Sequence, residues 1–359
     1  MSVFARGGAR AGPVHRLAPG LRRSGARDGA RGIMEPSLTI PDIRDFDLTD
    51  PEQFRTTSNS PADFRLVLRS RGAFQGWRRR FASEACIVTC GGMNLDSTYN
   101  VGTTRYATFT LVETDSVAAT MQGERLEAGI VALSWPGSDL HWQSPGGSKW
   151  WNIRFPLDRL NLASTLLFGA PLVPGRSATR FVRLAGEQWA RLLTGLAAVL
   201  APGNAVPALD SMLPDDVLRL LLQGFVVEAG EAVENVPRPG AMTRWKDVVD
   251  GLVFIADQRA QPKSLLQVCE ELNVPLRTLN LCSNRVLGLS AGRYLRMRRL
   301  HSVFSDLKHG LAASVTEVAT RYGFWELGRF AQDYRAVFGE LPSATLRRSA
   351  GAATAAHPL

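Results

Sequence analysis

Between Asp45 and about Phe155, apolar side chains come in short, β-rich runs. These are RLVLRS (Arg65–Ser70), ACIVTC (Ala85–Cys90), YATFTLVE (Tyr106–Glu113), GIVALSW (Gly129–Trp135) and WWNIRFP (Trp150–Pro156). Gly91-Gly92, Gln122-Gly123-Glu124, Pro136-Gly137 and Pro145-Gly146-Gly147 stand between them as turn signals. Several short strands with such punctuation predict a sandwich or barrel. From Asp158 the period changes. Trp189, Leu192, Leu193, Leu196, Val199 and Leu200 form one helical stripe, and the run opened by Pro214, Asp215 and Asp216 carries apolar residues beyond one stripe. That excess fits either a helix–helix interface or plain core. Val233–Thr243, with two prolines and a glycine, is the best linker, and a helix is expected over about Arg244–Arg259.

The clearest pattern lies near the C-terminus. Val315, Val318, Ala319 and Tyr322 fall at helical spacing, and Gly323 breaks the run. Leu327, Phe330, Tyr334, Val337 and Phe338 then trace a second apolar stripe, which Gly339 and Pro342 end. Two helices about a tight glycine turn match a helix-turn-helix. The outward face of the second helix carries Glu326, Gly328, Arg329, Gln332 and Arg335. Arg and Gln make bidentate hydrogen bonds to base edges, and Gly328 lets a backbone come close. Periodicity alone also fits a helical hairpin with a solvated face.

Charge sharpens the picture. The net charge is +9, unevenly placed. Residues 238–359 hold 17 Lys and Arg against 10 Asp and Glu, residues 35–237 hold 18 against 22, and residues 1–34 hold seven Arg against Asp28. A basic helical segment beside an acidic β-rich one predicts an anionic polymer partner at one end only. Residues 1–34, rich in Arg, Gly and Ala, are expected to be a disordered basic tail, with extension from a mis-assigned start codon ahead of Met34 as its expected origin.

The stretch from Ser314 to Arg348 resembles the second helix-turn-helix of the AraC-type (AraC/XylS) transcription regulators. Val318-Ala319, Tyr322-Gly323-Phe324, Arg329-Phe330, Tyr334-Arg335, Phe338-Gly339 and Pro342-Ser343 carry the match in register. Upstream, Leu265, Leu272, Val274, Arg277, Leu279, Gly288, Tyr294, Leu295, Arg299 and Leu300 resemble the first unit and its long connecting helix. Here the chain departs from the family pattern: Pro275 replaces the usual Ser at the turn, Leu281 a commonly basic residue and Ser283 a commonly Phe core residue. Arg277 and Asn280 remain expected base contacts. Arg298, on the basic helix around Gly292–His309, is expected at phosphate or in an ion pair. The β-rich half is similar to the cupin-like sensor domains of that family.

Catalytic chemistry finds little support. His141 is the sole histidine of the sensor region, too few for a cupin metal site. Cys86, Cys90, Cys269 and Cys282 lack zinc spacing and read as reduced buried thiols. No metal or cofactor is expected. Trp135, Trp142, Trp150 and Trp151 cluster in sequence, as core or as pocket wall; Trp135, His141 and Trp150 are the expected ligand contacts.

The expected fold class is α+β. A cupin-like sensing and dimerisation domain over residues 35–235 precedes a linker at 236–243, an all-α domain of two helix-turn-helix units at 244–349, and a short tail at 350–359. The resemblance implies a cytoplasmic bacterial regulator, an activator, that binds double-stranded promoter DNA and a small-molecule effector, works as a homodimer and contacts RNA polymerase. No stretch is long and apolar enough to predict a membrane span. Two rival readings are a cupin-like or thiol-based enzyme fused to a DNA-binding unit, and a ligand-free dimeric interaction protein.

Overall fold

The computed structural model describes residues 42–58, 64–101, 106–113, 119–172, 179–201, 209–227, 239–258, 262–311 and 313–355. The basic tail and residues 236–238 of the expected linker lie outside them.

Strand β1 (Asp42–Leu48) leads into a one-turn helix, α1 (Pro51–Thr56). Asp50 caps α1 by accepting the Glu52 and Gln53 amides, and Pro51 sits in the first turn, where its missing N–H costs nothing. The strands β2 (Phe64–Leu68), β3 (Gly76–Ala82), β4 (Ile87–Met93), β5 (Ser97–Val101), β6 (Tyr106–Val112), β7 (Ala119–Met121), β8 (Glu124–Leu126), β9 (Ile130–Ser134), β10 (Leu140–Ser144) and β11 (Lys149–Pro156) follow. After α2 (Leu157–Phe168) comes β12 (Thr179–Arg183), then α3 (Gly186–Val199) and α4 (Leu209–Val227).

Two sheets result. One runs β1-β3-β4-β11-β6-β9-β12 and the other β2-β5-β10-β7-β8, with every paired neighbour antiparallel. The larger sheet is covered on both sides. Alternation puts Phe109, Leu111, Leu133, Ile153 and Phe155 on the outer face, where they pack with Leu192, Leu196, Leu221 and Phe225 of α3 and α4. Its inner face meets the smaller sheet, where Trp150 packs in one core with Leu66, Tyr99 and Trp142.

One sequence expectation changes here, and one strand appears where none was expected. Gly91-Gly92 is not a turn but the middle of β4. A Cβ at Gly91 would lie 2.6 Å from Trp150 Cζ2, so glycine is what lets the indole lie against the strand. The run WRRRF, which carries no apolar alternation, forms most of β3. Arg79 on its outer side binds Asp45 at 2.6 Å through Nη2, while Arg78 turns inward and is buried.

The C-terminal half is all-α. Helix α5 (Pro239–Asp257) begins five residues before the expected start, so residues 239–243 of the expected linker belong to it. Then come α6 (Leu265–Leu272), α7 (Leu276–Leu287), α8 (Ala291–Lys308), α9 (Val315–Arg321), α10 (Leu327–Phe338) and α11 (Pro342–Ala355). Ser264, Ser290 and Ser314 cap α6, α8 and α9 through their hydroxyls. Pro275 at the head of α7 makes no such bond, as its side chain dictates. The described residues from Asp42 onward form one compact unit, because the outer face of the smaller sheet packs on α7 and α8 and is bonded to α5 through His141 and Asp250.

Candidate DNA-reading face and the sensor interface

Helices α9 and α10 form the second helix-turn-helix. Gly323 takes φ +76°, which joins them tightly. Phe330, Tyr334 and Val337 are buried, and Phe324 lies 5.0 Å from Phe330, centroid to centroid. Each such burial stabilises by roughly 1.5–3 kcal/mol, enough to fix which face of α10 points out. That outer face carries Glu326, Gly328, Arg329, Gln332 and Arg335, all exposed. Among the described residues, the side chains of Arg329, Gln332 and Arg335 have no hydrogen-bond or ion-pair partner. Arg296 of α8 pairs with Asp333 on the flank of α10, and Tyr322 donates to Asp306 at 2.9 Å, so α8 holds both helices of the unit.

The first unit, α6 and α7, is arranged otherwise. Arg277 is exposed. Asn280 is half-buried, and its Oδ1 accepts the Ala291 amide at 3.1 Å; that oxygen is occupied at the head of α8. Ser283, at the expected aromatic position, is fully buried and donates to the Leu289 carbonyl at 2.7 Å. Leu281 is 60% exposed. Arg285, at the far end of α7, reaches Glu124 of β8 at 3.3 Å and lies 5.2 Å from the centroid of the Trp245 ring.

Of the two expectations for Arg298, phosphate contact or ion pair, the structure shows the ion pair. Its side chain is 11% exposed and its Nη2 binds Asp257 at 2.7 Å, while the other oxygen of Asp257 takes Arg65 of β2, also at 2.7 Å. The guanidinium thus belongs to an ion-pair bridge from α5 and α8 to the β-rich half. A cleft of about 300 Å³ lies beside it, lined by Glu52, Arg55, Arg65, Asp257 and His301 among others. Neutral His301 accepts the Leu68 amide at 3.3 Å, and burial pushes its imidazole down to about 3.

The three expected ligand contacts do not meet. Trp135 belongs to the core under α3 and α4, and Trp150 to the core between the sheets. His141 lies on the outer face of β10, against the helical half. Its Nε2 meets Asp250 of α5 at 2.5 Å, and its Nδ1 accepts from the Asn100 amide. The Asn100 contact leaves the ring proton on Nε2, so His141 donates to Asp250. Tyr294 of α8 donates to Asn100 Oδ1 at 2.9 Å. Burial by itself would raise the Asp250 carboxyl; the His141 hydrogen bond and Lys246 hold it below the usual range. Nearby, Thr98 donates to the Leu287 carbonyl at 2.6 Å and Gln143 to the Arg285 carbonyl at 2.9 Å. The end of α7 is therefore docked on the smaller sheet. These partners lie 41 to 194 residues apart, beyond the reach of local pattern.

Two features escaped sequence reasoning. Trp325, immediately before α10, is 77% exposed, a large apolar surface beside the Arg-Gln face. Arg78 is buried between the sheets, where burial pushes its guanidinium down to about 9, against the opposing pull of Tyr99. Its position after Trp77 in an arginine run gave no hint of burial.

Residues 268–348 match a helix-turn-helix domain family. The chain is 32% identical over 167 residues to the probable thc operon regulatory protein of Rhodococcus erythropolis, covering 45% of this chain and 49% of that one. It is 41% identical over 97 residues to the XylDLEGF operon transcriptional activator 3 of Pseudomonas putida, covering 26% and 29%. A solved probable AraC family transcriptional regulator from Rhodopseudomonas palustris is 30% identical, with 29% of this chain and 97% of that one covered and a TM-score of 0.27. Over this C-terminal domain the chain is similar to AraC-type regulators. It spans about half the length of the first curated relative and under a third of the second.

Proposed function

We propose that the protein is a sequence-specific, DNA-binding transcription regulator whose β-rich half senses a small molecule. The observation that carries this reading is the outer face of α10. Arg329, Gln332 and Arg335 stand exposed without protein partners on a helix whose other face is locked into the core. Such side chains reach base edges when the helix enters a major groove. Arg277 offers one further contact from α7, and Glu326 and Gly328 flank the entry of α10. Two units joined by α8 suit successive major grooves of promoter DNA, about 34 Å apart along the duplex. Relatives named as operon activators support an activator that meets RNA polymerase.

The coupling between halves runs through the smaller sheet. Its inner face carries Tyr99 and Trp142, and its outer face Thr98, Asn100, His141 and Gln143, which hold α5, α7 and α8. An effector between the sheets shifts the strands β5 and β10 and so biases how α7 is held. We place the protein in the cytoplasm, working as a homodimer. Among the described residues no helix is long and apolar enough to cross a membrane. A nucleophilic role for Cys90 is disfavoured: burial pushes its thiol up to about 12, which suppresses the thiolate at neutral pH.

Selection of bound duplexes from random oligonucleotides tests the reading. A recurring motif is expected, with affinity falling steeply as salt rises. Binding with no sequence preference would overturn it.

A further inference from the structure

Helices α7 and α10 are each twelve residues long, and each ends at a left-handed glycine, Gly288 and Gly339, so their heads correspond position by position. The residue just ahead of the N-cap is Val274 in the first unit and Trp325 in the second. An apolar side chain there ordinarily folds back on the fourth residue of the helix and fixes how the chain enters it. Val274 does pack against the core. Trp325 does not. It is 77% exposed, and among the described residues its ring meets no other ring or cation and its indole N–H no acceptor. Phe324 fills the structural role instead. It is buried, lies 5.0 Å from Phe330 between centroids, and has the Arg296 and Arg299 guanidinium carbons 5.5 and 5.6 Å from its ring centroid. Packing of α10 therefore gives no reason for an indole at 325.

The surroundings narrow what covers it. All five residues from Trp325 to Arg329 are exposed. A Cβ at Gly328 would meet nothing within 4 Å, so the surface beside the indole is unobstructed. Arg329, Gln332 and Arg335, which have no protein partner among the described residues, continue that surface along α10. The segment holding them, residues 238–359, has 17 Lys and Arg against 10 Asp and Glu. A protein partner for a large ring would be met by further apolar surface, and here only Leu327, 38% exposed, adjoins it. A lone ring beside free cations suits a surface that is anionic along its edges and apolar at single points. Duplex DNA is such a surface: phosphates line the groove, and the thymine 5-methyl is the apolar group within it.

We propose that Trp325 is a base-reading residue, its indole packing on a thymine 5-methyl group at the edge of the major groove that α10 enters. The head of a recognition helix is the part that meets base edges, and Trp325 stands two residues before the first residue of α10. This deepens the regulator reading above and rests on it. Arg329 and Gln332 read through hydrogen bonds, whereas Trp325 adds an uncharged contact whose worth does not fall as salt rises.

The test uses the full chain and the duplex recovered by selection from random oligonucleotides. Copies of that duplex carry deoxyuridine at one thymine position at a time, which removes a methyl and keeps every hydrogen bond. In the parent, at least one copy is expected to bind about fourfold more weakly, the worth of one buried methyl. Trp325→Ala is expected to keep the parental melting temperature, since the indole is exposed. It is expected to bind the thymine duplex about tenfold more weakly with the parental salt slope, and to bind that deoxyuridine copy no worse than the thymine duplex. Trp325→Phe, which keeps an aromatic face, is expected to retain most of the preference for the methyl. No loss at any thymine in the parent, the same loss in parent and Trp325→Ala, or parental affinity in Trp325→Ala would overturn the proposal. A melting temperature lowered by several degrees in both variants would assign the indole a structural role and would also overturn it. The two possible failures are distinct: a selection with no recurring motif defeats the regulator reading, and a motif whose methyl groups are read equally well without Trp325 defeats this contact alone.

Discussion

Helix α10 ends its outward face in Arg329, Gln332 and Arg335, none held by the protein, while the corresponding helix of the first unit is held along its length. In α7, Asn280 is bonded to the head of α8, the Arg285 and Leu287 carbonyls accept from Gln143 and Thr98, and the Arg285 side chain reaches Glu124. Both units share one scaffold, α8, yet α7 is hydrogen-bonded to the β-rich half, while among the described residues α10 makes no hydrogen bond to that half and meets it by packing at its end, where Gly339 lies beside Ala73. Under the proposed function the same motif serves two ends: a unit whose outer face is open for reading bases, and a docked unit suited to transmitting the state of the β-rich half. The Pro275, Leu281 and Ser283 departures all fall in the docked unit.

Breaking the bridge at Arg298 sharpens this contrast most. Arg298→Ala leaves Asp257 short of one partner and is expected to cost about 2–3 kcal/mol of stability, below the 3–5 kcal/mol of a fully enclosed pair because Asp257 is 24% exposed. Chemical denaturation reads the loss. The salt dependence of DNA affinity should stay as in the parent; a flatter slope would return Arg298 to the phosphates.

Asn280→Ala tests whether the first unit reads bases through that side chain. It removes the acceptor of the Ala291 amide and should cost on the order of 1 kcal/mol in stability, as loss of a helix cap does, with base preference unchanged. A relaxed preference at one base pair, with parental stability, would show the side chain at DNA instead.

A further effect concerns acid. His301 is buried neutral with its folded value near 3, below the ordinary 6.5, so the unfolded chain binds its proton first as pH falls. Its contribution is fully present above about 6.5 and is lost progressively down to about 3. Thermal melts across this window should fall less in His301→Gln than in the parent. Parallel curves would mean that other groups carry the acid sensitivity.

What the sequence disclosed and what it hid follow from distance along the chain. The α9–α10 unit was legible because its evidence is local: Phe330, Tyr334 and Val337 repeat at helical spacing, and Gly323 marks the turn. The strands β6, β9 and β11 were legible because their outer faces are continuous hydrophobic surface. Strand β3 was not, since its arginines answer to the opposing sheet and to Asp45 rather than to any local period. Gly91 imitates a turn because its partner, Trp150, comes 59 residues later. His141 and Arg298 owe their places to Asp250 and Asp257, on a helix whose contacts no spacing announces. The face of α10 was found from sequence, and the docking of α7 on the sensor only from the fold.

The most direct test of the account is base selection by Arg329→Ala set beside Arg277→Ala and the parent. A good bidentate contact is worth about 1–3 kcal/mol of discrimination. Arg329→Ala is expected to lose that much at the cognate site and to relax preference at one base pair, while Arg277→Ala changes preference less. Uniformly weaker binding by Arg329→Ala with the parental preference intact would assign Arg329 to the DNA backbone and contradict the division of roles between the two units.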